Sequence, residues 1–271
     1  MFRQPLAAGC ATAEAVYVFA DGGGIGRFDG ERWALVDPAL RSISSAVCTR
    51  DRAVAVGAAG RVVTVSDREL SVRIDTVQVD DLFGVSALPD GVLVVGARGT
   101  VLRQASAWQP YARGIEEDLY GVAAFSGNSA WAVGAGGVTY RLEDAGWKLI
   151  PSGVTTALRT VSGTSATSVV TAGDGGVALS WTGTEWRRFD LGTTATLRSS
   201  AFLGRTVVFV GDGGTALQIS ETGTLRIDLA TTCTLRAVFV RGSEQWFVGS
   251  DGTRAGVWRR SGDRLDRWGT C

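Results

Sequence analysis

Three arginines recur at one place in a repeated phrase. Arg159, Arg198 and Arg236 each follow a leucine that opens a hydrophobic run: Leu158-Arg159-Thr160-Val161, Leu197-Arg198 and Leu235-Arg236-Ala237-Val238. Phe83 and Tyr120 hold the same place in Leu82-Phe83-Gly84-Val85 and Leu119-Tyr120-Gly121-Val122. A guanidinium presents a planar fork of donors that fits a carboxylate or sulfate with two bonds at once. Three such groups beside two aromatic rings suit a carboxylate, a sulfated glycan or an acidic peptide. The same spacing also fits a structural use, in which each arginine packs on the neighbouring repeat and bonds to loop carbonyls.

Much other chemistry is excluded. The chain has no histidine, so the commonest general base and metal ligand is missing. Nucleophilic triads of the Ser-His-Asp or Cys-His kind cannot be built. Schiff-base chemistry would fall to Lys148, the only lysine, which follows Trp147 in an outer strand and reads as solvated. Glycoside hydrolysis needs only two carboxylates, and Glu116 with Glu117 and Asp80 with Asp81 are the candidate pairs. Adjacent acids in a connection read first as solvated surface. The glycine-rich turns lie between strands, without the helix N-terminus that a phosphate loop exploits. One carboxylate per turn is too few for a calcium cage, and the cysteines are too far apart for a zinc site. No catalytic residue, metal or cofactor is expected.

The elements that position the arginines repeat at a fixed interval. Anchored on the residue that ends the strand before each glycine turn, the copies fall at Ala20, Gly57, Gly96, Gly134, Gly173, Gly211 and Gly249, in steps of 37, 39, 38, 39, 38 and 38. The clearest copy runs Ser168-Val169-Val170-Thr171-Ala172-Gly173, Asp174-Gly175-Gly176, Val177-Ala178-Leu179-Ser180, a Thr-Gly turn and Trp186-Arg187-Arg188-Phe189. A further strand at Leu197 opens the next copy. Seven units of about 40 residues with four strands each predict an all-β fold. The expectation is a single seven-bladed β-propeller of four-stranded antiparallel blades, spanning 1–271 with blades near 4–37, 40–78, 80–114, 117–153, 156–191, 195–230 and 233–271.

With the strands of each blade lettered A to D from the axis outward, the roles of the residues can be read. β-branched and aromatic residues suit a pleated surface packed on both sides. Asp-Gly and Gly-Gly supply positive φ for the B–C hairpins, with Gly175 and Gly213 as the expected left-handed positions. Trp33, Trp108, Trp147 and Trp186 recur in strand D and read as packing between blades, not as a sugar platform. Copy two has lost this Trp and carries Leu70-Ser71-Val72 instead. Each blade is built from consecutive sequence, so the ring is expected to close by side-chain packing, with Cys271 as a possible fastener. The second residues of strand A, including Phe83, Tyr120, Arg159, Arg198 and Arg236, should ring the channel mouth on the face of the D–A and B–C loops.

The pattern Leu-Arg-x-Val, a strand, Gly-Asp-Gly-Gly, a strand, a Trp strand and Gly-Thr-Thr resembles bacterial propeller repeats common in myxobacterial exported proteins. It is also similar to the propellers of photosystem II assembly factors and to Asp-box (BNR) repeat proteins. The resemblance covers the whole chain. An Asp box reads Ser-x-Asp-x-Gly-x-x-Trp, which Ser250-Asp251-Gly252 and Asp174-Gly175-Gly176 only approximate. The leading expectation is a non-catalytic binding or scaffold propeller, and the alternative is a divergent glycoside-active propeller, the sialidase-like activity that the Asp-box resemblance would imply.

Composition bounds the partners. Lys plus Arg is 27 and Asp plus Glu is 27, so no global basic field attracts nucleic acid. A protein, peptide or glycan partner is expected, and a monomer. No apolar run approaches the about 18 residues of a membrane span. Leu6-Ala7-Ala8-Gly9-Cys10 resembles a bacterial lipoprotein box. Only five residues precede it, and its leucine sits one place too early. Either the likeness is accidental or the true start lies upstream. An exported location is expected, a cytoplasmic one if Met1 is the true start. Cys10, Cys48, Cys233 and Cys271 allow three pairings, and buried free thiols are the alternative.

Overall fold

The computed structural model describes residues 4–22, 24–37, 42–67, 71–77, 79–144 and 146–271. Each copy of the repeat forms one four-stranded sheet with strand order A-B-C-D and antiparallel neighbours. The inner strands are Leu6–Ala11, Ile43–Cys48, Leu82–Leu88, Leu119–Ser126, Leu158–Ser165, Leu197–Leu203 and Thr234–Arg241. Each packs on the next, and the last packs on the first, which closes a ring. The protein is a seven-bladed β-propeller, without an α-helix among the described residues.

Strand B carries the most continuous apolar runs because it is covered within its sheet by A and C and on both faces by neighbouring blades. Val16–Ala20 and Gly91–Gly96 are buried at every residue. At the outer edge Gly223–Arg226 is exposed throughout. Large aromatics fill the wedges between blades. Trp131 of blade four meets Trp181 and Trp186 of blade five at centroid separations of 4.8 and 4.9 Å. Of the strand-D tryptophans, Trp33 and Trp186 are buried and Trp108 and Trp147 half-buried. Trp186 donates across the blade boundary to Thr139 Oγ1 (2.9 Å) and Trp147 to the Tyr111 carbonyl (3.0 Å). They are packing pieces, as expected. Lys148 is exposed on its outer strand. Strand D of blade two begins at Val72, and Leu70 lies outside the described residues.

Among the described residues no strand is shared between the two ends of the ring. Phe28 and Trp33 of blade one pack on Trp246 and Trp268 of blade seven, with centroids 5.3–6.5 Å apart. Arg259 lies over Trp246 and Trp268 and pairs with Asp266 at 2.5 Å. Ser250 Oγ donates to the Leu6 carbonyl (3.1 Å).

Cys271 plays a different part from the seam fastener that the sequence suggested. It bonds Cys233 at the start of the same blade and packs in the cluster between blades six and seven. Cys10 bonds Cys48, joining the inner strands of blades one and two. No described cysteine is free. The sulfur that a lipid anchor on Cys10 would need is thus held in a bridge.

In blades two to six the B–C connections are single 3-10 turns with two left-handed residues. Gly175 and Gly213 have φ of 67° and 63°, as expected. The stricter position is the next one. A Cβ on Gly175 would meet nothing within 4 Å, whereas one on Gly176 would lie 1.9 Å from the Thr193 carbonyl oxygen.

Candidate functional site at the channel mouth

Every inner strand carries an irregularity in the same place. Leu158 pairs with Gly173 and Thr160 with Ala172, so Arg159 between them has no partner in strand B. The same shift leaves Ala7, Ser44, Phe83, Tyr120, Arg198 and Arg236 unpaired. An extra residue of this kind is a β-bulge, which bends the strand and re-aims one side chain. Here it turns the second residue of each blade toward the axis. All seven line one mouth cavity of about 400 Å³, together with Asp21 and Ser250. Below it a second cavity of about 370 Å³ continues down the channel.

The mouth is chemically uneven around its circumference. Blades one and two contribute the small Ala7 and Ser44, leaving that side open. Blades three and four contribute Phe83 and Tyr120, whose rings lie 5.5 Å apart. Arg159 of blade five sits 5.2 Å over the Tyr120 ring, extending the stack as a cation on an aromatic face. Arg198 and Arg236 complete the arc.

Two of the three arginines are already occupied. Arg159 donates from Nε and Nη2 to Asp174 Oδ1 and Oδ2 (2.5 and 2.9 Å). Arg198 does the same with Asp212 (2.6 and 3.1 Å), and Thr234 Oγ1 adds a third donor to that carboxylate. Each acid is the first residue of its own blade's B–C turn. The hydrogen bonds from Arg159 and Arg198 hold the Asp174 and Asp212 carboxyls below the usual carboxylate range. The bonds that Arg159 donates to Asp174 also push the Arg159 pKa up. The structural use anticipated for these arginines is therefore realised, with turn carboxylates in place of loop carbonyls.

Arg236 differs. Its blade has Ser250 where blades five and six have Asp174 and Asp212, and Ser250 is turned to the Leu6 carbonyl. No hydrogen bond or ion pair among the described residues reaches the Arg236 guanidinium. It is exposed to the mouth, yet desolvation, followed by the like charge of Arg198, pushes its pKa down.

Deeper in the channel the wall mixes valines with hydroxyls and is stapled. Val85, Val122, Val161 and Val238 line it, with the Cys10–Cys48 bridge between blades one and two. Hydroxyls tie neighbouring inner strands: Ser200 to Thr160 and Ser162 (2.9 Å each), Ser86 to the Ala124 N–H, and Ser199 to the Val238 N–H.

The acidic pairs considered for glycoside chemistry are held in loops. Asp81 accepts from the Ala59 N–H (2.9 Å), Asp80 pairs with Arg98, and Glu117 accepts from the Tyr140 hydroxyl (2.9 Å). Glu117 titrates low because its own backbone N–H and then Tyr140 bond the charged form. Among the described residues the carboxyls with displaced titration (Asp29, Glu117, Asp174, Asp212, Asp251 and Asp266) are all displaced downward. A general acid needs the opposite shift. Among the described residues no three metal-ligating side chains cluster.

The sequence brought the five predicted mouth residues to one place, and it missed three things. The bulge is not visible in a single copy. The partners Asp174 and Asp212 and the lone Asp21 become visible only when the residue after each anchor is compared between copies: Asp21, Asp174 and Asp212, but Ser250.

No protein-family model matches the chain, and no curated protein matches it. Solved structures do. The WD40 β-propeller domain of Doa1 matches with a TM-score of 0.76 at 12% identity, covering 98% of this chain and 93% of that one. A structure of YCF48 bound to D1 peptide matches with a TM-score of 0.65 at 16% identity, covering 83% of this chain and 80% of that one. YCF48 from Cyanidioschyzon merolae gives 0.65 and 16%, with 84% of each chain covered. At such identities the likeness is one of fold, and it places this chain among the β-propellers.

Proposed function

We propose that the protein is a non-catalytic binding propeller that takes a peptide segment of a protein partner at the channel mouth. One observation carries this reading: seven bulge residues from seven blades point into a single open mouth that offers aromatic, cationic and hydroxyl surface together. A mouth built from one residue per blade presents varied groups on a rigid frame, the arrangement that preorganised recognition needs. A propeller of similar fold has been solved with a peptide bound, which supports the same kind of ligand here.

A sulfated glycan is the weaker candidate, since Asp174 and Asp212 already neutralise Arg159 and Arg198. A glycoside-active propeller is weaker still, since three of the four candidate acids, Asp80, Asp81 and Glu117, are bonded in loops. Two disulfides suit an oxidising compartment, which supports a proposed site of action outside the cytoplasm.

Selection from a random peptide display library on the purified chain tests the reading. Selected peptides should lose affinity for Phe83→Ala and Arg236→Gln and keep it for Arg205→Gln, a control in an A–B loop on the opposite face. Peptides that bind all three variants equally, or a selection that enriches none, would overturn it.

A further inference from the structure

The paired arginines make the unpaired charges informative. In blades five and six the bulge arginine and the turn aspartate belong to one blade and neutralise each other. At the seam between blades seven and one the same two positions are split between neighbours. Blade seven has the arginine, Arg236, but at the aspartate's place Ser250, the last residue of its strand B; blade one has the aspartate, Asp21, but Ala7 at the bulge. Arg236 and Asp21 line the same mouth and interact through space, yet no ion pair joins them. Neither side chain makes a hydrogen bond or ion pair among the described residues. The mouth therefore presents one cation, which feels Asp212 and Asp21 only through space, and one anion, neither with a hydrogen-bonded partner among the described residues.

We infer that this seam recognises a dipolar stretch of peptide, with a carboxylate taken by Arg236, a nearby ammonium or guanidinium taken by Asp21, and an apolar side chain resting on Phe83 and Tyr120. The inference rests on the mouth being the binding site and adds the chemical class of the ligand. A polyanion would satisfy Arg236 and be repelled by Asp21; a polycation would meet the reverse. Only a ligand carrying both signs leaves neither group unpartnered. Asp21 thus acts as a selectivity element that rejects plainly acidic segments.

The test uses the full chain and four pools of N-acetylated, C-amidated octapeptides, each with one tryptophan. The pools are acidic only, basic only, uncharged, and mixed with one acidic and one basic residue two apart. Fluorescence anisotropy gives the affinity for each. The mixed pool should bind tightest. Arg236→Gln should weaken it about tenfold, to the level of the basic pool. Asp21→Asn should weaken it about threefold, the smaller effect of an exposed pair, and should improve binding of the acidic pool. The double exchange Arg236→Asp with Asp21→Arg should restore the preference for mixed peptides, which separates lost recognition from lost folding. If acidic peptides bind as tightly as mixed ones and Asp21→Asn changes neither, the inference is overturned while the mouth stands as an anion site. If no pool binds, both the inference and the proposed function fall.

Discussion

Replacing Gly176 by alanine isolates the geometry of the turn that sets the blade spacing. Gly176 has φ of +70°, where an L-residue is disfavoured by about 1 kcal/mol. Its new Cβ would also stand 1.9 Å from the Thr193 carbonyl oxygen. That oxygen belongs to the backbone linking blade five to blade six, so relief requires moving the link. Overpacking of this kind costs about 1–3 kcal/mol, giving a total of about 2–4 kcal/mol. For a chain of this length about 2 °C of Tm corresponds to each kcal/mol, so calorimetry should show a fall of about 4–8 °C. Gly175→Ala is the internal control. Its φ is +67° with nothing within 4 Å of the added carbon. The equivalent positions in blades two and three hold Ala59 and Arg98 at φ of 53° and 50°. The left-handed penalty is partly offset by a stiffer unfolded chain, so the net change should stay within about 1 kcal/mol. A Gly175→Ala variant as destabilised as Gly176→Ala would refute the argument.

Two other outcomes follow from bonds at the mouth and in the channel. Asp174 and Asp212 titrate low in the fold, so their pairs stabilise it at pH values above the carboxyl pKa of the unfolded chain and lose that contribution as pH falls through the lower folded values. Unfolding by urea from pH 7 down to pH 2 should show stability falling in the acid range, and Asp174→Asn with Asp212→Asn should flatten that fall; an unaltered pH profile would argue against the pairs. The Cys10–Cys48 bridge closes a separation of 38 residues, so Cys10→Ser with Cys48→Ser should cost about 2–4 kcal/mol, and an unchanged urea midpoint would count against the bridge.

The fold was legible because the repeat is dense in information. The anchors, the Asp-Gly turns and the strand-D tryptophans each recur, and each has one physical use in a blade packed on both sides. The mouth was legible only in part. Arg159, Arg198 and Arg236 look alike as sequence, each following a leucine. What separates them is a partner 14 or 15 residues on, Asp174 for Arg159 and Asp212 for Arg198, against Ser250 for Arg236. Such pairing depends on a bulge and a turn acting together, which local propensity does not encode. The role of Cys271 was opaque for a similar reason, because three cysteine pairings fit the same sequence and only the spatial neighbourhood of Cys233 selects one.

The central claim, that a partner enters at the channel mouth, is tested most directly by blocking the mouth without touching its charges. Ser44 is small, exposed and on the open side of the ring, so Ser44→Trp should fill the entrance while leaving the blade packing intact. The affinity of a peptide selected on the wild-type chain, measured by titration calorimetry beside the Tm of both proteins, gives the answer. The account predicts at least a tenfold loss of affinity, about 1.4 kcal/mol, at an unchanged Tm. Full affinity in a folded Ser44→Trp protein would contradict it and place the binding surface elsewhere.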